Sequence, residues 1–125
     1  MTNHWIDLRN SDCIMIIGSN AAENHPISFK WVTEAMERGA KLISVDPRFT
    51  RTSSKANIYA PIRSGTDITF IGGMIRYILN DMQSLSPTDR AAKYNMTYVT
   101  QYTNAALIID GGFEIQQLGT HSGIL

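Results

Sequence analysis

The sequence predicts an α/β fold: a three-layer, Rossmann-like parallel sheet with helices on both faces. Three observations lead there. Cys13–Ile17 and Leu42–Val45 are short, unbroken apolar runs, the pattern of buried strands. Between them, Pro26 to Arg38 repeats its apolar residues with helical period and stops at Gly39. A third run, Ala56–Ile62, is again followed by a turn and a helical stripe. Strand, helix of about a dozen residues and strand make a parallel βαβ unit, which is nearly always right-handed.

Each element has its local reason. Trp5-Ile6-Asp7-Leu8 is either one helical turn or an irregular approach to the first strand. Trp5 is expected to pack on the sheet edge. So much apolar surface near the start leads us to expect further sequence upstream. Gly18-Ser19-Asn20 is a turn after the first strand. Pro26 suits the first turn of a helix, where its missing N–H costs nothing. Asn24 or His25 is the N-cap, and Asn is the better one. Ile27, Trp31 and Ala35, with Val32 beside them, form the apolar stripe. Arg38 favours the negative end of the helix dipole, and Gly39 is the stop.

After Asp46, the segment Pro47 to Lys55 is a polar loop rich in hydroxyl residues, with room for a helical turn from Thr52. Arg48 and Arg51 there either face a phosphate or a base, or are simply solvated charges. A strand is expected at residues 56–61, ended by Pro61. Arg63-Ser64-Gly65-Thr66-Asp67 is a turn whose Thr66 or Asp67 caps a helix over residues 67–80. Gly72-Gly73 inside that helix costs about 1 kcal/mol per Gly relative to Ala, which close approach to the sheet would explain. Ser86-Pro87-Thr88-Asp89 is a turn or the start of a short helix. Tyr94 to Ile109, with Leu107-Ile108-Ile109, has mixed periods, and Gln116 to Leu125 reads as a frayed or artificial end.

The whole chain narrows the function classes. Its 125 residues are one domain's worth, and 43% hydrophobic residues suffice for a core. Eleven basic residues balance eleven acidic ones, which argues against nucleic acid as a partner. A single Cys excludes an internal disulfide framework, and Cys13, inside an apolar strand, is expected to be buried and inert. His4, His25 and His121 lack metal-ligand spacing. No run approaches the length of a membrane span, and Met1 to Trp5 is not a signal peptide.

The chemistry is expected beyond the carboxyl ends of the strands, where open α/β sheets bind ligands. Gly18-Ser19-Asn20 precedes a helix N-terminus, a natural place for phosphate. Asp46 stands roughly where a dinucleotide fold puts the acid that grips ribose hydroxyls. However, the turn is G-S-N rather than G-x-G-x-x-G, and Asp46 lies further along than the expected spacing of about 20 residues. On this stretch alone the site is a nucleotide site of another kind or merely a tight βα turn, and the tight turn is the stronger reading.

Three turns considered together change that balance: Gly18-Ser19-Asn20 with Glu23-Asn24-His25-Pro26, Asp46-Pro47-Arg48, and Arg63-Ser64-Gly65-Thr66-Asp67. With MTNHWIDLRNSDCIMIIGSNAAENHPISFKWV and VDPRFTRTSSKANIYAPIRSGTDI around them, the chain resembles the molybdopterin oxidoreductase family. Within it, the likeness is to large subunits of selenocysteine-type formate dehydrogenases, directly after their selenocysteine segment. It covers residues 1–113, and residues 114–125 read as a tail unlike the family.

The resemblance implies a domain that holds one of two molybdopterin guanine dinucleotides, which together bind molybdenum or tungsten. It implies cofactor-binding roles for Gly18, Ser19, Asn20, Glu23 and Asn24 near the phosphates. Asp46, Pro47 and Arg48 would lie at the guanosine, and Gly65, Thr66 and Asp67 at the guanine. It also implies that the metal-ligating selenocysteine or cysteine and the adjacent histidine precede Met1, with the iron–sulfur cysteines further upstream. On that basis the chain carries no catalytic and no metal-ligating residue. A UGA codon read as stop would split such a gene near here. The implied partners are the remainder of the large subunit and its electron-transfer subunits. The nearest forms are exported, with a signal upstream. An isolated segment would leave apolar surface open and self-associate. Two other readings stand beside this one: a free-standing nucleotide- or pterin-binding module without catalysis, and a structural piece that binds nothing.

Overall fold

The computed structural model describes residues 2–103. The chain forms two compact units, residues 1–76 and 77–125. The first unit opens with a 3-10 helix, Trp5–Asn10, and then β1 Cys13–Ile17, α1 Ala21–Asn24, α2 Pro26–Glu37 and β2 Lys41–Val45. A 3-10 turn, Ser53–Lys55, β3 Ile58–Ala60 and the first part of α3 Asp67–Ser84 follow. The second unit takes in the rest of α3, α4 Pro87–Lys93 and α5 Met96–Tyr102. Leu107-Ile108-Ile109, His121 and the expected tail lie outside the described residues.

The α/β class is as the sequence predicts. The strands lie in the order β1-β2-β3, with both pairs parallel. Ile14 is opposite Leu42, while Val45 is opposite both Ile17 and Ala60. β3 is shorter than residues 56–61, because Asn57 leaves the strand to serve the sheet with its side chain. Its Oδ1 accepts from the Leu42 N–H at 2.8 Å, and its own N–H donates to the Leu42 carbonyl at 2.9 Å.

The core forms where α2 crosses the sheet. Ile14, Val32, Ala35, Ala40 and Leu42 are buried together, with Leu8, Phe29 and Met36 around them. Of the expected stripe of α2, Val32 and Ala35 are buried, joined by Ser28, while Trp31 is half-buried and Ile27 is 68% exposed. Ser28 can be inside because its hydroxyl donates to the His25 carbonyl at 2.8 Å. The helix ends as expected: Gly39 takes φ +103°, and the Gly39 and Ala40 N–H groups return to the carbonyls of Met36 and Ala35.

At the other end of α2 one of the two expected caps is realised, though not the preferred one. His25, not Asn24, occupies the cap position, and no side chain caps there. Asn24 closes α1, and its Oδ1 lies 2.6 Å from His25 Nδ1. Trp5 meets the His25 ring edge-on at 5.7 Å between centroids. The segment around it is helical, so of the two readings the helical turn is the one realised. It rests on α2, where Arg9 faces both the Trp31 ring and Glu34.

Cys13 is exposed, contrary to the expectation of a buried thiol. It begins a strand at the margin of the sheet, on the side away from Ile14 and the core. Met15, on that same side, is 42% exposed. Gly72 and Gly73 also depart from expectation, since a Cβ at either position would meet no atom of the described residues within 4 Å. No close approach accounts for them. In fact no residue of α3 is buried, and Ile68, Ile71, Ile75, Ile78 and Leu79 are all exposed.

The second unit is tied by one polar cluster. The Lys93 ammonium reaches both Asp81 oxygens, at 2.9 and 2.8 Å, and the Tyr94 hydroxyl donates to Oδ2 at 2.6 Å. Ser86, the N-cap of α4, accepts from the Asp89 N–H, and Asn95 does the same for Tyr98 at α5.

Candidate functional site

Because all three strands are parallel, their carboxyl ends emerge along one edge. Two hydrogen bonds carry the ladder past the strand ends. The Gly18 N–H donates to the Val45 carbonyl at 2.9 Å, and the Asp46 N–H to the Ala60 carbonyl at 3.3 Å. The turn after β1, the turn after β2 and the exit from β3 therefore begin side by side. Gly18 at φ +62° and Gly65 at φ +83° give two of these turns a conformation that other residues rarely adopt.

The turn residues differ in how free they are. Asp46 is 9% exposed, and its Oδ1 accepts from the Arg48 N–H at 2.8 Å, closing an Asx turn. Its Oδ2 has no donor among the described residues. The Tyr59 hydroxyl donates to the Asp46 carbonyl at 3.0 Å, which steadies the same turn from β3. Pro47 and Arg48 are exposed, and the Arg48 guanidinium has no carboxylate partner among the described residues. Thr66 is not a side-chain cap. Its hydroxyl donates to the Arg63 carbonyl at 2.6 Å, and its carbonyl accepts from the Phe70 N–H. Asp67 is the exposed first residue of α3, favourably placed at the positive end of the dipole.

Asn20 and Glu23 are engaged within the protein. The Asn20 amide donates to a Glu23 oxygen, and Arg51 Nε lies 3.8 Å from the other Glu23 oxygen. Asn20 Oδ1 accepts from both the N–H and the hydroxyl of Thr52, at 3.3 and 3.2 Å. Asn24 faces His25. The sequence marks Thr52 and its neighbours as a polar loop with room for a helical turn, and a 3-10 turn does follow Thr52. Thr50, Thr52 and Ser53 are in fact buried. The Ser44 and Ser53 hydroxyls meet at 2.9 Å, and those of Thr50 and Ser53 at 3.1 Å. The available signal was Ser44, a polar residue inside an otherwise apolar strand.

A cavity of about 690 Å³ lies between the first 3-10 helix, β1 and the start of α2. It includes Ser19 and His25 in its lining but neither Asp46 nor Gly65. No cluster of three or more His, Cys, Asp or Glu side chains suited to a metal occurs among the described residues, and no described helix is long and apolar enough to cross a membrane.

The profile of the family described as "Molybdopterin oxidoreductase" matches residues 1–117. The chain belongs to the molybdopterin oxidoreductase family. Formate dehydrogenase subunit alpha of Megalodesulfovibrio gigas is 55% identical over 117 residues, which cover 94% of this chain and 11% of the relative. Formate dehydrogenase-O major subunit of Escherichia coli K12 is 50% identical over 117 residues, 91% of this chain and 10% of that protein. The nitrate-inducible formate dehydrogenase major subunit of the same organism is 49% identical over 124 residues, 98% of this chain and 11% of its own. This molybdopterin oxidoreductase chain thus spans only about a tenth of the length of these relatives.

The side chains suit a molybdopterin cofactor. Among the described residues Arg48 has no carboxylate partner and Asp46 Oδ2 no donor, and Gly18 starts its turn beside Val45, which leads into Asp46. A guanidinium can meet a phosphate, and a carboxylate can accept from ribose hydroxyls or base N–H groups.

Proposed function

We propose that this chain is a cofactor-binding segment of a formate dehydrogenase large subunit and is inactive alone. The observation that carries this reading is identity to such subunits over more than nine-tenths of the chain. The cofactor proposed is molybdopterin guanine dinucleotide with molybdenum or tungsten. When bound in the parent enzyme, it supplies the metal centre at which formate is oxidised to carbon dioxide. Gly18, Ser19, Asn20, Glu23 and Asn24 surround its phosphates, Asp46, Pro47 and Arg48 its guanosine, and Gly65, Thr66 and Asp67 its guanine.

The work of these residues is to bind and orient. Backbone N–H groups after β1 meet the pyrophosphate, Arg48 neutralises it, and Asp46 holds the sugar or base. The cofactor-carrying domain is residues 1–113. The partners proposed are the remainder of the large subunit, which would cover α3, and the subunits that carry electrons onward from iron–sulfur clusters held outside this chain.

Calorimetric titration of the 125-residue chain with GDP, the nucleotide half of the cofactor, tests the binding claim. GDP should bind in preference to ADP, and equal or absent binding would remove the site. The second claim, inactivity, is checked by formate-dependent dye reduction, expected to be nil even with cofactor and metal supplied.

A further inference from the structure

We propose that Asn20 and Thr52 form a latch that sets the turn after β1 against the loop after β2, making Asn20 a positioning residue rather than a cofactor contact. The proposal rests on the cofactor site just described and, within it, moves Asn20 from the residues around the phosphates to the support behind them.

Asn20 has little left to offer a ligand. A side-chain amide oxygen has two lone pairs. Both are used, one by the Thr52 N–H at 3.3 Å and one by the Thr52 hydroxyl at 3.2 Å. The amide nitrogen donates to Glu23. Asn20 therefore cannot accept from a ligand and keeps only one N–H.

Thr52 is built for the same task. It is fully buried, at 0% exposure. Its hydroxyl also accepts from the Ala22 N–H at 2.9 Å. That N–H is in the first turn of α1, where no helical carbonyl can satisfy it. One hydroxyl thus joins the first turn of α1, the Asn20 side chain and the β2–β3 loop. Arg51 and Glu23 approach across the same gap, at 3.8 Å and on the exposed side, where such a pair contributes little.

The consequence is geometric. Gly18 and Ser19 directly precede Asn20, and Asp46-Pro47-Arg48 begins the loop that Thr52 anchors. Loops are ordinarily the mobile parts of a fold, and a site on two of them needs supporting contacts behind it. The latch makes the phosphate turn and the Asp46 turn one rigid unit.

Amide exchange by NMR on the 125-residue chain tests this without a ligand. Thr52→Val keeps the shape and removes the hydroxyl, so exchange at Ala22 should speed up about tenfold, the equivalent of one buried hydrogen bond. Thr52→Ser should stay within about threefold of the parent chain. Asn20→Ala should free the Thr52 amide, and it carries the test alone if Thr52→Val does not fold. With GDP as the probe, Asn20→Ala and Thr52→Val should weaken binding to a similar degree, and the double variant no further. Unchanged Ala22 protection in a folded Thr52→Val chain would overturn the latch. So would loss of GDP binding in Asn20→Ala alone, with Thr52→Val unaffected. If the parent chain fails to bind GDP, the cofactor reading falls while the exchange data still decide the latch.

Discussion

The Gly18 N–H donates to the Val45 carbonyl at 2.9 Å, so the turn after β1 starts beside the residue that leads into Asp46. This single backbone contact brings two turns, 28 positions apart in Gly18 and Asp46, to one place. Several expectations depend on that proximity.

Asp46→Asn should separate binding from folding. An Asn oxygen can still accept from the Arg48 N–H and close the Asx turn. Unfolding by denaturant should therefore change by no more than about 0.5 kcal/mol. Binding of GDP should weaken by about 1.5–3 kcal/mol, the value of a charge-assisted hydrogen bond. Equal losses of stability in Asn and Ala variants, with binding intact in both, would make Asp46 purely structural.

Gly18→Ala and Gly72→Ala should move stability in opposite directions. Gly18 sits at φ +62°, where a side chain costs about 1–2 kcal/mol. Gly72 is in helical backbone with open space around it, and Ala there should add about 0.5–1 kcal/mol. Urea denaturation of both variants gives the comparison. A destabilising Gly72→Ala would point to a partner surface on α3 in the molecule in solution.

The Asp81 cluster should limit stability at both ends of the pH range. The Lys93 ammonium first, and the Tyr94 hydroxyl second, hold the Asp81 carboxyl below the ordinary carboxylate value. That stabilisation is present above the ordinary Asp value and is lost as pH falls through the lowered one. The bond to Asp81 holds Lys93 above its ordinary ammonium value and Tyr94 above its ordinary phenol value. Their contribution is complete below those ordinary values and is lost as pH rises through the raised ones. Protection of the α4 amides, taken relative to the unfolded chain at the same pH, should thus be greatest across the neutral range, and Asp81→Asn should flatten both limbs.

The exposed face of α3 should drive self-association. Ile71, Ile75 and Ile78 are 41%, 52% and 40% exposed along one side of the helix. The average mass from sedimentation should rise with concentration, and Ile71→Glu with Ile75→Glu should abolish the rise. A parent chain that stays monomeric throughout would remove this expectation.

Much of the fold was legible because periodicity is a local property. Cys13–Ile17 and Lys41–Val45 read as strands from their apolar runs, and Pro26 and Gly39 mark α2 by backbone chemistry alone. The three candidate turns were legible too, since parallel strands send their carboxyl ends to one edge whatever their packing. Burial was less legible. Cys13 and Leu42 lie in equally apolar runs, yet Cys13 is exposed and Leu42 is at 0% exposure. What separates them is the face of the sheet: Leu42 lies opposite Ile14 in the core under α2, Cys13 lies opposite the exposed Lys41, and no local pattern records which face will be covered.

The sequence by itself determined the α/β class, the family and the set of turns, because these rest on composition, period and motif. Only the tertiary structure decided which polar residues are free. Among the described residues Arg48 and Asp46 Oδ2 are left uncommitted, while the Asn20 side-chain oxygen is saturated by Thr52, a partner 32 positions away. A hydrogen-bonding group has the same chemistry whether it faces solvent or a buried hydroxyl. Its availability is set by distance in three dimensions, which the folded chain alone defines.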